Sequence, residues 1–230
     1  MEWTLISPAS SSIDESAEFY KKLRFQELAT DSKLSLLAEQ NMRIELNTNQ
    51  FLRLGLKLYS EDWEPTLKAL EDVVPILELD DDFAFREPNG LWIYLGTNPQ
   101  ENAFETSANE SILGNFMGIS LEVIDFESTY KIFKVIGYEV VMGKMDSGFV
   151  VLGHEHLPGI SFMKPLTCPH KFINPSLTFF NGKKNKDLIK KVIETGIEPF
   201  EIPDAFGQPK EIENIILRDQ GGWGIFMFND

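Results

Sequence analysis

The chain has 230 residues, of which 43% are hydrophobic and 12% aromatic, and its formal net charge is −15. This much apolar material can form one large domain or two domains of about 100 residues each. The acidic balance argues against DNA, RNA and anionic membranes as partners, because such partners select basic surfaces. It is compatible with a cationic ligand, although many acidic proteins use their charge only for solubility.

Two features predict a cytoplasmic protein. Cys168 is the single cysteine, so no intramolecular disulfide can form, as is typical of a reducing compartment. The first residues lack the basic region and apolar run of a signal peptide. No apolar stretch reaches the roughly 18 residues needed to span a bilayer, and we expect no membrane association.

The predicted elements repeat as units of about 50 residues, each a strand, a helix and further strands. In the first unit the strand covers 3–7, the helix 14–23, and the following strands 25–29, 34–39 and 43–47. In the second unit the same elements cover 52–59, 63–73, 76–79, 82–87 and 91–95. The polar segment 97–110 is predicted to be a linker between the two halves of the chain.

The second half of the chain repeats this order. The third unit has a strand at 116–124, a helix that Asp125 caps and Gly137 ends, and strands at 139–143, 148–153 and 159–164. The fourth unit has a strand at 176–181, a helix at 184–194, and strands at 198–202, 213–219 and 223–228, with a loop at 204–210. Such a unit cannot bury its sheet and helix alone, so we expect units to pair.

Short motifs recur in the same order within these units. Residues 120–125 (Ser-Leu-Glu-Val-Ile-Asp) and 130–138 span a strand and its helix, and 18–25 (Glu-Phe-Tyr-Lys-Lys-Leu-Arg-Phe) covers a helix and its exit. The turns 87–90 (Glu-Pro-Asn-Gly) and 219–222 (Asp-Gln-Gly-Gly) precede a last strand. Together these motifs resemble the glyoxalase/bleomycin resistance protein/extradiol dioxygenase (vicinal oxygen chelate) superfamily over nearly the whole chain.

The resemblance implies an α+β fold of four βαβββ modules. They would pair into two glyoxalase-like domains, 1–106 and 107–230, with open concave sheets and helices on the outside. Two complete domains in one chain are compatible with a monomer, and a homodimer remains open.

The resemblance also implies where a metal would bind. Metal-dependent members use a His or Gln early in a module's first strand and usually a Glu near the middle of its last strand. The matching first-strand positions here are Gly118, Arg53, Glu2 or Trp3, and Asn174 or Pro175. The matching last-strand positions are Tyr94, Phe226, about Ser161, and Glu45. This set cannot hold a divalent ion, so we expect neither a metal nor another cofactor.

The histidines do not supply a replacement for the missing ligands. His154 and His156 flank Glu155 in a predicted loop, where we interpret them as solvated side chains. His170 lies in a connector beside Cys168, and a pair so close in sequence rarely has the geometry of a catalytic Cys–His pair.

The predicted ligand-binding residues are Arg43, Glu45, Trp92 and Tyr94 on the concave wall of the first domain, with Lys57 or Gly55 beside them. A second cleft would present Ser120, Glu122, Ser161, Met163, Thr178, Gly224 and Phe226. Two aromatic rings, a carboxylate and a cation suit a small ligand that is cationic or aromatic. Alternatively, the rings fill the cleft as core, and Glu45 pairs with Arg43 or Arg53.

Three functions are compatible with this pattern. The first is binding or sequestration of a small molecule without a metal, similar to the bleomycin resistance members of the superfamily. The second is a metal-independent lyase or isomerase that uses Glu45 and Tyr94 as acid and base. The third is a degenerate scaffold with a regulatory role. The sequence does not identify the ligand or establish catalysis.

Overall fold

The computed structural model describes residues 1–9, 12–79, 82–97, 107–203 and 212–229. The first of its two sheets is built from β1 (Glu2–Pro8), β2 (Gln26–Thr30), β3 (Leu34–Ala38), β4 (Arg43–Asn47), β5 (Gly55–Tyr59), β6 (Leu77–Leu79), β7 (Asp82–Arg86) and β8 (Trp92–Gly96). Helices α1 (Ile13–Lys22) and α2 (Glu64–Leu70) belong to the same half of the chain.

The second sheet is built from β9 (Phe116–Glu122), β10 (Glu139–Lys144), β11 (Phe149–Gly153), β12 (Ile160–Met163), β13 (Ser176–Phe180), β14 (Ile215–Arg218) and β15 (Gly224–Phe228). Its helices are α3 (Phe126–Ile136) and α4 (Asn185–Glu194), and a 3-10 turn (Gly182–Lys184) leads into α4. Among the described residues, no helix is long and apolar enough to cross a membrane.

Both sheets have the same internal symmetry. The strand orders are β2-β3-β4-β1-β5-β8-β7-β6 and β10-β11-β12-β9-β13-β15-β14. The first strands of two units pair antiparallel at the centre of each sheet (β1 with β5, β9 with β13), and each also pairs in parallel with the last strand of its own unit. The predicted α+β class, with paired βαβββ units and open sheets, is confirmed.

Local sequence signals determine where the helices begin and end. The Ser12 side chain caps α1 by accepting a hydrogen bond from the Glu15 N–H, and Asp125 caps α3 in the same way through the Ser128 N–H. Gly137 ends α3 in the left-handed conformation, with φ of 104°. The predicted cap and stop of α3 are therefore confirmed.

The fourth unit departs from the prediction. The strand predicted at 198–202 is wrong, since this segment forms only an isolated bridge between Glu201 and Ile216. Pro199 lacks the N–H that a longer ladder would need at this point. The predicted loop 204–210 and most of the predicted linker 97–110 lie outside the described residues, and the boundary at 106/107 remains a prediction.

The two faces of each sheet differ in chemistry because side chains alternate along a strand. In the first sheet Leu5, Ile44, Leu56 and Ile93 belong to the main hydrophobic core. Their neighbours in sequence therefore point to the opposite, concave face. The predicted candidate residues lie on that face.

The turns between the last two strands of the second and fourth units also join the two sheets. Asn89 Nδ2, in the turn after β7, donates to Thr129 Oγ1 of α3 at 3.0 Å. Gln220 Oε1, in the turn after β14, accepts from Ser16 Oγ of α1 at 2.8 Å. Each of these turns thus contacts the helix of a unit in the other sheet.

Candidate ligand-binding site

The four predicted ligand-binding residues all lie on the concave face of the first sheet. Arg43 and Glu45 are on β4, and Trp92 and Tyr94 are on β8, on either side of the central β1–β5 pair. Ile6 is paired with Glu45 and with Gly55, and Gly55 is paired with Trp92, which defines one row across the sheet. The strand alternation was therefore sufficient to place these side chains on one face.

The neighbouring row on this face includes Tyr94 and Lys57, which were predicted, and Thr4, which was not. Thr4 on β1 is paired with Lys57 on β5, and Lys57 is paired with Tyr94 on β8. Arg53, which we had matched to a first-strand ligand position, instead precedes β5. The strand residue beside Tyr94 is thus a lysine, whose ammonium group cannot ligate a metal while protonated.

Glu45 is the buried carboxyl of this face. Its side chain is 5% exposed, and it accepts a hydrogen bond from Asn47 Nδ2 at 2.8 Å. Burial raises the pKa of Glu45, while the Asn47 hydrogen bond and the Lys57 charge oppose that rise and the Asp82 charge adds to it. A carboxyl of this kind is suited to receive a proton or a cation from a ligand.

A partly buried ion pair lies next to Glu45. Lys57 Nζ is 2.6 Å from Asp82 Oδ2, and it lies 5.3 Å from the centre of the Tyr59 ring. Burial, followed by the charges of Glu45 and Asp82, raises the pKa of the Tyr59 hydroxyl. The phenol is consequently neutral at physiological pH and retains its proton for donation. Neither Asp82 nor Tyr59 was predicted: Asp82 lies on β7, which carries none of the ligand positions implied by the resemblance, and Tyr59 lies two residues beyond Lys57 at the end of β5.

Hydrogen bonds to neighbouring groups hold the side chains of both Arg43 and Arg53. Arg43 is 9% exposed, and its guanidinium donates to Glu2 Oε2 at 3.0 Å and to the Trp3 carbonyl at 2.9 Å. Arg53 Nη1 donates to the carbonyls of Gln50 and Leu52 at 2.7 and 2.8 Å. Arg53 therefore stabilises the loop before β5.

Trp92 and Tyr94 form the aromatic part of this concave face. Their ring centres are 6.3 Å apart and their planes differ by 21°. Gly55 lies against both residues, and a Cβ at this position would be 2.6 Å from Tyr94 Cε2 and 2.5 Å from the Trp92 carbonyl oxygen. The absent side chain therefore lets the Tyr94 ring lie close to β5.

The Tyr94 hydroxyl is engaged by the backbone of Arg53. It accepts from the Arg53 N–H at 2.8 Å and donates to the Arg53 carbonyl at 3.1 Å. Burial raises the pKa of Tyr94, although the Arg53 N–H opposes this. Tyr94 thus holds the loop before β5, and its ring packs with Ile6 and Ala84 in a small apolar cluster on the concave face.

Thr4 adds a polar group without a hydrogen-bond partner among the described residues to the concave face of the first sheet. It is 1% exposed, and its Oγ1 has no hydrogen-bond partner among the described residues. A buried hydroxyl without a partner costs about 1–3 kcal/mol. A ligand that reached this hydroxyl would recover that cost.

The metal positions implied by the superfamily do not fit a metal in this chain. In the second sheet Thr178 is paired with Gly118 on one side and Phe226 on the other, so Thr178, rather than Asn174 or Pro175, completes that row. The Thr178 hydroxyl is hydrogen bonded to the Ser120 hydroxyl at 2.6 Å. The described residues contain no group of three or more His, Cys, Asp or Glu that could hold a metal ion.

The second concave face is occupied by the chain itself. The His170 ring lies 5.1 Å from the Phe226 ring and 5.0 Å from the Phe228 ring, and the Phe172 ring lies 5.1 Å from Phe226. The backbone N–H of Leu166 donates to Glu122 Oε1 at 3.0 Å. The connector between β12 and β13 thus packs over this sheet, and the first face is the better candidate.

No known family model matches the chain, and no protein of curated function matches its sequence. Three similar solved structures are a catechol 2,3-dioxygenase, the Mn(II)-bound glyoxalase from Novosphingobium aromaticivorans, and a variant of homoprotocatechuate 2,3-dioxygenase from B. fuscum in complex with HPCA. Their TM-scores are 0.60, 0.57 and 0.60, at sequence identities of 14%, 13% and 11%. The matches cover 97%, 97% and 99% of this chain, and 85%, 79% and 70% of the other chains. The predicted fold is thus shared with these dioxygenases and this glyoxalase over nearly the whole chain.

Proposed function

We propose that this protein binds a small amphipathic organic molecule on the concave face of its first sheet, without a metal ion. The observation that carries the proposal is the arrangement of the buried Glu45 carboxyl and the partly buried Lys57–Asp82 ion pair on the same sheet as the Trp92 and Tyr94 rings. Aromatic rings provide contact area, and a few fixed polar groups orient a ligand.

The charges favour a ligand that has a cationic group as well as an aromatic one. Lys57 and Asp82 balance each other at 2.6 Å. The Glu45 carboxyl is buried, and burial disfavours its ionised form. A ligand ammonium group beside Glu45 would stabilise the carboxylate, so binding would be coupled to loss of the proton from Glu45. The Thr4 hydroxyl offers a further polar contact.

An acid–base enzyme without a metal is the second candidate. The raised pKa of Glu45 favours it, because a general base works best when its pKa lies nearer the working pH. The Tyr94 hydroxyl contributes less to this candidate, since it already exchanges two hydrogen bonds with the Arg53 backbone. Glu45 would therefore transfer the proton, and Tyr94 would position the substrate through its ring.

Native mass spectrometry of the protein as purified is the first test, since a retained organic molecule would identify the ligand directly. The second test is a panel of aromatic amines, aromatic carboxylic acids and neutral phenols, followed by ligand-observed NMR. We expect the amines to bind wild type, and Glu45→Gln to weaken them about tenfold, which corresponds to about 1.4 kcal/mol.

The control is Glu18→Gln, because Glu18 is an exposed carboxylate on α1 outside the cleft. Equal weakening by both variants would show that the amines respond only to net charge. If no organic molecule is retained and no member of the panel binds, the proposal is wrong. Conversion of a bound amine into a product that Glu45→Gln does not form would instead establish the enzyme.

A further inference from the structure

A groove runs along the outer face of the first sheet near its β6 edge. It has a volume of about 750 Å³ and lies between α2 and strands β6 and β7. Its floor is apolar and consists of Trp63, Leu67, Val74, Ile76 and Phe83. This groove lies on the helical side of the sheet, opposite the concave face.

The length of α2 explains why the groove exists. α2 has 7 residues, whereas α1 and α3 have 10 and 11. In the first unit, α1 lies against β2, β3 and β4. The chain after α2 instead turns at 71–74, so less helix is available to cover the outer strands of the second unit. Leu67, Ile76 and Phe83 therefore remain partly accessible, beside the buried Trp63 and Val74.

The rim of the groove is strongly acidic. Among the described residues that line the groove, Lys68 is the one cation. Five others are carboxylates: Glu61, Asp62, Glu64, Glu71 and Glu78. Asp62 Oδ1 accepts a 2.8 Å hydrogen bond from the Glu64 N–H and so serves partly as a cap for α2. All five acidic residues are exposed, so their charges are accessible to a molecule that approaches the floor.

We propose that this groove binds a short basic amphipathic segment of a partner protein, in which apolar side chains contact the floor and Lys or Arg side chains contact the rim. Helix-in-groove recognition uses this division between apolar anchors and flanking charges. Complementary charge also increases the rate of association and excludes acidic partners. The proposal concerns the convex side of the sheet and is independent of the function proposed for the concave face.

The charges of this chain argue for a partner from another protein. A second copy would bring its own net charge of −15 to an acidic rim. The segment that follows Thr97 in sequence, 98–106, contains Glu101 and Glu105 and no Lys or Arg. The net charge of a second copy and the charges of this segment therefore both oppose association with the rim.

A fluorescein-labelled peptide of leucine and lysine, arranged at helical spacing, is the probe, and fluorescence anisotropy is the readout. We expect the full-length protein to bind it and to ignore the same peptide with glutamate in place of lysine. Glu71→Lys/Glu78→Lys should weaken binding about tenfold or more, because it reverses two rim charges. Lys68→Glu should tighten binding, because it removes the opposing cation.

Glu18→Lys/Glu198→Lys is the matched control, since it changes the net charge equally at exposed positions that do not line the groove. It should change binding less than about twofold, the expectation for remote charges screened by salt. Equal weakening by the two double variants would show general attraction to an acidic surface and would overturn the proposal. Absence of binding to wild type, or a Lys68→Glu variant that binds no tighter, would also overturn it.

Discussion

Tyr20 on α1 donates a 2.6 Å hydrogen bond to Asp219 Oδ2, which lies 199 residues later in the turn before β15. The Ser7 hydroxyl donates to the same oxygen at 2.5 Å. The N–H groups of Gly222 and Trp223 each donate to Oδ1 at 2.6 Å. One buried carboxyl thus receives four hydrogen bonds and joins the fourth unit to the first.

Tyr20→Phe should destabilise the protein, because it removes a hydrogen bond to a buried carboxyl. Tyr20 is 1% exposed and Asp219 is 5% exposed, so water cannot readily replace the lost donor. Loss of a hydrogen bond to a buried acceptor costs about 1–3 kcal/mol, and we expect the free energy of unfolding in urea to fall by that amount.

Tyr130→Phe is the control for this prediction. The Tyr130 hydroxyl also donates to a carboxylate, Glu139 Oε2, at 3.1 Å, but at an exposed site. Its loss should change the free energy of unfolding little, since solvent screens exposed contacts. Similar losses in the two variants would mean that burial of the Tyr20–Asp219 bond has no energetic consequence.

Glu45→Gln should stabilise the protein in a manner that depends on pH. Burial raises the pKa of Glu45 in the folded state, so this state binds more protons than the unfolded chain between the two pKa values. By linkage, the contribution of Glu45 to the free energy of unfolding falls as pH rises through that interval. Glutamine avoids this loss and can still accept the Asn47 hydrogen bond.

Urea unfolding of wild type and Glu45→Gln from about pH 4 to pH 8 checks the sign. The stability advantage of the variant should grow with pH and then become constant above the folded-state pKa, and each unit of pKa corresponds to about 1.4 kcal/mol. Glu18→Gln should follow wild type at every pH. A stability advantage that shrinks as pH rises would contradict the predicted direction.

The sequence predicted the faces of the strands more successfully than the partners of the side chains. Alternation along β4 and β8 placed Glu45 and Tyr94 on one concave face, because the period of a strand is independent of what covers it. The contacts of Tyr94 with the Arg53 backbone and of Lys57 with Asp82 depend on the register between strands. A single sequence does not specify that register.

Asp219 shows the same limit at the level of tertiary contacts. Its motif predicted a turn, and the turn is present. Its burial against Tyr20 depends on how the two sheets pack together. The pattern of residues 219–222 contains no signal for a residue at the start of the chain, so this junction could not be predicted.

Gly55→Ala should disturb the aromatic wall of the cleft. The added Cβ would lie 2.5 Å from the Trp92 carbonyl oxygen and 2.6 Å from Tyr94 Cε2. Forcing a methyl group into such a packed site costs about 1–3 kcal/mol. We expect a lower free energy of unfolding and shifted NMR resonances of the Tyr94 ring.

Gly159→Ala is the graded comparison, because its added Cβ would come no closer than 3.1 Å, to the Met117 carbonyl oxygen. It should lower the free energy of unfolding less than Gly55→Ala does, and it should leave the NMR resonances of the Tyr94 ring unchanged. If both variants lost the same free energy of unfolding, Trp92 and Tyr94 would have to move aside readily for the added methyl group. The two rings would then not be fixed in place before a ligand binds.

Incubation with divalent metals should leave no ion bound at the positions that the superfamily uses. In the second sheet the row of Gly118, Thr178 and Phe226 provides one hydroxyl, which is a poor ligand for a divalent ion. We expect native mass spectrometry after exposure to excess Mn²⁺, Fe²⁺ or Zn²⁺ and buffer exchange to give the metal-free mass.

The exposed loop residue His156 and its neighbour His154 are the main source of a false positive in that experiment. His154 Nδ1 accepts a hydrogen bond from the backbone N–H of His156 at 3.0 Å, and the two imidazole ring centres are 6.2 Å apart, close enough for the pair to capture a stray ion. An ion that the His154→Ala/His156→Ala variant loses would come from this loop, and the metal-free proposal would stand. A stoichiometric ion retained by both proteins would show that a metal site exists elsewhere, and metal-dependent chemistry would then replace the proposal.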